Sequence, residues 1–149
     1  MGFLIDTDIW VAVERGTLAP ADIHAVTGTE PVFLSPVNVA ELQLGIELGE
    51  DEATRRKALA AMRRLRRKPL LRMDHGTGEV FGHLAAQLRK LGRGEEFRVM
   101  DLWLAAQAVQ RKFTLLTSNA KHFKDIPGLN LVVLRPSRPP LSGLSNPKP

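Results

Sequence analysis

Short apolar runs alternate with longer stretches of helical period along the 149-residue chain. Phe3-Leu4-Ile5, Val32-Phe33-Leu34, Phe113 to Thr117 and Leu131 to Leu134 have strand length and are bounded by polar or turn residues, with Leu70-Leu71-Arg72-Met73 a weaker fifth run. Between them the spacing predicts helices over roughly Thr7–Arg15, Val37–Leu48, Asp51–Lys68, Thr77–Leu91 and Asp101–Lys112. Gly49 and Gly92 stand where helix C-caps are expected. Strands separated by helices predict an α/β fold with a parallel sheet. In the second helix the apolar stripe reads as Val37, Ala40, Leu44 and Leu48, leaving Leu42 and Ile46 on the other side as candidates for a dimer surface. From Pro136 the chain is dominated by Pro, Ser and Gly. The expected division is therefore one domain over 1–135 and a flexible Pro-rich tail over 136–149.

Composition narrows the class. Hydrophobic residues at 44% and charged residues at 25% describe a globular chain. No apolar run approaches the roughly 18 to 20 residues of a membrane helix, and Met1–Trp10 lacks the pattern of a signal peptide. Cysteine is absent, which removes disulfides, thiolate metal sites and a thiol nucleophile. The expected location is the cytoplasm. Net charge is +5, so an anionic partner fits. The charge is concentrated: Arg55, Arg56, Lys57, Arg63, Arg64, Arg66, Arg67 and Lys68 crowd one helical segment, which is either a solvated face or a phosphate-contacting surface. Two Trp and no Tyr leave few platforms for stacking bases.

Three acids carry the candidate chemistry. Asp6 directly follows the first strand, and in an open parallel sheet ligand sites form beyond the carboxyl ends of strands. Helix capping is the competing role for it, and also for Asp101, which opens the segment Asp101 to Ala108. Glu41 lies inside a helix at the margin of its apolar stripe, where capping does not apply and lost solvation calls for a cation, a donor or a raised pKa. Three carboxylates around one crevice repel one another and are relieved by a divalent cation. Their oxygens suit Mg²⁺ or Mn²⁺ better than zinc. Such an ion activates water and neutralises a phosphoryl oxygen, as phosphodiester cleavage requires. The four histidines, His24, His75, His83 and His122, show no zinc-ligand spacing. Ser118 lacks the flanking glycines of a nucleophile elbow.

At this point the chain resembles a family. Leu4–Trp10 (LIDTDIW), Asn38–Ile46 (NVAELQLGI), Met100–Ala108 (MDLWLAAQA) and Leu115–Phe123 (LLTSNAKHF) occur in the order found in PIN domains, most closely those of the VapC toxins of bacterial type II toxin–antitoxin pairs. The resemblance runs from about Phe3 to Leu134. It implies a three-layer α/β/α fold around a parallel sheet, Mg²⁺- or Mn²⁺-dependent endoribonuclease activity, a homodimer, and neutralisation by a VapB-type antitoxin. Asp6, Glu41 and Asp101 fall on the family's three principal acids, and Asn119 on a fourth position that is often acidic. An amide there removes a charge and puts a second tightly held metal in doubt. Thr117 and Asp8 are supporting candidates, and Arg63, Arg64, Arg66 and Arg67 are candidates for contacting RNA.

Two alternatives stay open on the residues alone. The segments Asp6-Thr7-Asp8 and Leu115 to Asn119 also resemble the haloacid-dehalogenase phosphatases, which need further acids after the second segment. Here Asp125 is the one acid between Asn119 and the tail. The other alternative is a non-catalytic RNA-binding or regulatory module whose acids serve as caps.

Overall fold

A computed structural model describes residues 1–94 and 98–139. Its elements run β1 (Phe3–Ile5), α1 (Thr7–Arg15), α2 (Pro20–Thr27), β2 (Val32–Phe33), α3 (Pro36–Leu48), α4 (Glu52–Leu65), α5 (His75–Lys90), α6 (Val99–Arg111), β3 (Thr114–Thr117) and β4 (Asn130–Val133). The strands form a parallel sheet in the order β2-β1-β3-β4. Leu4 lies opposite Leu115 and Ile5 opposite Leu116, which sets the register of the central pair.

Alternation along these strands divides the core in two. Ile5 and Leu116 join side chains of α1 to α4, including Ile9, Leu18, Leu42, Ile46, Met62 and Leu65. Leu4 and Leu115 point the other way, into Leu84 and Leu88 of α5 and Leu102, Leu104 and Ala105 of α6. Helices thus cover both faces, giving the expected three layers. No helix among the described residues is long and apolar enough to cross a membrane.

Local chemistry fixes the helix ends. Gly16 closes α1 in the left-handed region at φ 77°, where its N–H reaches the Ala12 and Val13 carbonyls. Ser35 caps α3, its hydroxyl accepting from the Val37 N–H at 3.0 Å, while Asn38 Oδ1 accepts from the Ser35 N–H at 2.9 Å. Asp51 and Asp74 cap α4 and α5.

Several expectations give way. Helix α2 has no counterpart among the predicted helices; it is eight residues long and starts on Pro20, with Asp22 accepting from the Ala19 N–H at 2.8 Å. Residues Leu70 to Met73 form no strand but a single bridge, Leu34 to Leu70. The largest correction concerns α3. Its buried residues are Val37, Asn38, Leu42 and Ile46, whereas Leu44 is 59% and Leu48 69% exposed. Leu42 and Ile46 are core residues and cannot form a dimer surface. This helix carries leucines on two sides, so period alone could not say which side meets the sheet. The C-terminal segment is described only through Pro139, and its predicted remainder falls outside the described residues. Within the described part, the Ser137 and Arg138 N–H groups both donate to the Thr17 carbonyl at 3.3 Å, and the Arg138 guanidinium reaches Asp22 Oδ1 at 3.3 Å.

Candidate active site

Strand order reverses between β1 and β3, and the carboxyl ends of those two strands meet there. Asp6 follows β1 and Thr117 ends β3, and the Thr117 hydroxyl donates to Asp6 Oδ2 at 2.8 Å. Asp6 occupies the N-cap position of α1 yet makes no side-chain capping bond. Its carboxylate is committed elsewhere, which removes the capping explanation.

Glu41 is held from below by a buried polar chain. The Asn38 amide donates to the Ile5 carbonyl at 2.9 Å and to the Thr7 hydroxyl at 3.1 Å. Thr7 in turn donates to Glu41 Oε1 at 2.9 Å. The chain ties α3 to the end of β1 and fixes the carboxylate at the lip of the crevice.

Asp101 sits in the first turn of α6, two residues past its start at Val99, and the N-cap position belongs to Arg98. The expectation that Asp101 opens the helix is therefore corrected, and with it the capping role. Asp101 Oδ2 lies 3.2 Å from His122 Nδ1. Arg98 grips both carboxylate oxygens of Asp125, at 2.8 and 3.1 Å, and the His122 carbonyl at 3.1 Å, securing the turn after β3 to the start of α6.

Asp6, Asp8, Glu41, Asp101, Arg98 and His122 line one crevice together with Val99 and Met100. The Asp6 carboxyl is raised from 3.8 to about 7, chiefly by burial and further by Asp8, Glu41 and Asp101, against the Thr117 hydrogen bond. Burial likewise raises Glu41, opposed by its bond from Thr7 and reinforced by Asp101 and Asp8. Burial also raises Asp101, partly offset by His122. Neither Asp6 nor Glu41 has a salt-bridge partner among the described residues. Partly buried acids that repel one another and lack a basic partner form a donor set suited to a divalent cation. As placed, no three described His, Asp or Glu side chains form a group that could hold a metal ion. Binding one would require the carboxylates to close around it.

The other candidates are placed differently. The Asn119 amide nitrogen lies 3.2 Å from His122 Nε2, and Asn119 does not line the crevice. Arg63, Arg64 and Arg67 border a separate hollow with Glu14, and Arg64 Nε is bonded to Glu14 at 3.0 Å. None of the four arginines, Arg66 included, reaches the acids' crevice. Thr7, Asn38, Arg98 and His122 escaped the sequence reading, since each contributes through partners remote along the chain.

Residues 3–129 match the PIN domain family, and the chain belongs to it. Its relatives are more particular. The chain is 29% identical over 135 residues to the "Ribonuclease VapC" of Rickettsia bellii, covering 90% of this chain and 97% of that protein. The fold is shared with VapBC2 from Rickettsia felis, solved bound to a DNA fragment from its promoter, at a TM-score of 0.75 and 23% identity over 90% of this chain and 99% of that one. It is also shared with VapBC-5 of Mycobacterium tuberculosis, a member of the VapBC family of toxin–antitoxin systems, at a TM-score of 0.69 and 21% identity over 89% and 98% of the two chains. A PIN domain leaves no place for the phosphatase alternative.

Proposed function

We propose that this PIN domain is an endoribonuclease dependent on Mg²⁺ or Mn²⁺, the toxin of a type II toxin–antitoxin pair, acting on RNA in the cytoplasm. Convergence of Asp6, Glu41 and Asp101 on one crevice at the reversal of strand order is the observation that carries this reading. The VapC names of its relatives favour RNA as substrate and a VapB-type antitoxin as partner, with a homodimer as the assembly.

In this reading the three carboxylates hold the ion. A divalent cation bound there lowers the pKa of water and neutralises charge on a phosphoryl oxygen. Thr117 orients Asp6 by donating to one of its oxygens. Thr7 does the same for Glu41, so that neither acid turns toward the protein interior. His122 holds Asp101 from the far side. Asn119 retains only a tentative place as a fourth ligand, since its amide is turned to His122.

The test is cleavage of total RNA by the purified chain with Mg²⁺, with Mn²⁺ and with chelator. New RNA ends are expected with either ion and none with chelator. Asp6→Asn, Glu41→Gln and Asp101→Asn should each lower the rate by roughly a hundredfold or more, the scale seen when a group stabilising developing charge is removed. Tight RNA binding with no cleavage under any ion would return the chain to the non-catalytic alternative.

A further inference from the structure

A second groove opens from the crevice, sharing Asp8 and Glu41 with it. One wall is α1, through Val11 and Arg15; the other is α4, through Thr54, Lys57 and Ala58; the floor is α3, through Leu42 and Gly45. Charge along it is graded. The crevice end carries the two acids and the outer part carries Arg15 and Lys57. Arg15 makes no hydrogen bond or ion pair among the described residues, and Lys57 is drawn only toward Asp51, at the start of α4.

Gly45 is the informative residue. Glycine inside a helix is less favourable than alanine, so its presence usually has a packing or backbone reason. Here neither applies: a Cβ added at Gly45 would meet nothing within 4 Å. It lies one helical turn beyond Glu41 on the same face. A side chain at this position would occupy only the groove.

We infer that this groove carries the RNA strand away from the acidic crevice, that Arg15 and Lys57 bind the backbone phosphate flanking the scissile one, and that Gly45 keeps the floor clear for the chain. The inference rests on the nuclease reading for its substrate, and its logic is electrostatic. A polyanion entering a crevice lined by carboxylates is repelled there until a cation is bound. Two unpaired basic side chains just outside it hold the neighbouring phosphate and set the strand's register. This surface differs from the four arginines at the far end of α4.

The experiment measures binding of a mixed-sequence single-stranded oligoribonucleotide across a salt series with chelator present, and cleavage of the same oligonucleotide with Mg²⁺. The full chain is compared with Gly45→Leu and with Arg15→Ala combined with Lys57→Ala. Each variant should bind about tenfold more weakly, the scale expected for losing a charged hydrogen-bonded contact. The double variant should also lose about 1.4 from the slope of log affinity against log salt, as expected for two single-strand contacts. Gly45→Leu should melt no lower than the parent, because leucine is the better helix former, so weaker binding cannot be ascribed to misfolding. Parental affinity and slope in both variants overturn the inference, as does a loss confined to binding a protein partner. If the parent never cleaves while its binding still depends on these residues, the groove stands and the nuclease reading alone fails.

Discussion

Burial raises the Asp6 carboxyl to about 7, against 3.8 for an ordinary aspartate, so over that interval the folded protein keeps a proton that the unfolded chain releases. Proton uptake by the folded state stabilises it fully below 3.8, and the contribution is lost as pH rises through about 7. Asp22, Asp51, Asp74 and Asp125 act in the opposite sense, their lowered pKa values making the fold weaker in acid. Comparison with Asp6→Asn isolates the one residue. The metal-free variant should melt near the parent below 3.8 and progressively above it toward and beyond 7, by an amount on the order of a few kcal/mol at most. Added Mg²⁺ should narrow the gap by stabilising the parent alone, a result that thermal melts with and without chelator would check. Equal melting of the two proteins at every pH would contradict a protonated Asp6. Asp6, Glu41 and Asp101 were readable in the sequence because each acid stands at a strand end, a helix start or the edge of an apolar face. Thr7 and Asn38 were not, since their partners lie 34 and 33 residues away. Only folding brings these groups together.

Helix α3 shows what periodicity can and cannot decide. Its length and start were legible from Ser35, Pro36 and the apolar spacing, but its inward face was not, because leucines occupy both sides. The two faces make opposite predictions. Leu42→Ala removes a side chain that is 2% exposed and should cost roughly 2–5 kcal/mol in urea denaturation. Leu44→Ala trims one that is 59% exposed and should stay within about 0.5 kcal/mol of the parent. Reversed values would restore the face expected from the sequence. Helix α2 was hidden for a different reason: eight residues with only Ile23 and Thr27 buried give too few apolar positions to establish a period.

At the scale of the whole molecule, the layered architecture was legible because its parallel strands are short apolar runs separated by helices. Strand order was not, since nothing local in Phe3-Leu4-Ile5 says that its neighbours are residues 32–33 on one side and 114–116 on the other. The central pair joins the two ends of the sequence, and the bond from Thr117 to Asp6 spans 111 residues. A chain ending before Thr114 would lack β3 and β4, the strands that seat Leu4 and Ile5 on their second edge. Such a fragment should give no cooperative thermal transition and no RNA cleavage, as calorimetry and the same cleavage assay would show. That late closure matters for a cell making the protein. While the polypeptide is still being threaded out of the ribosome, its first acid has no companion strand and the cutting edge does not yet exist. The transcripts and ribosomal RNA within arm's reach of the newborn chain are spared until synthesis is nearly over.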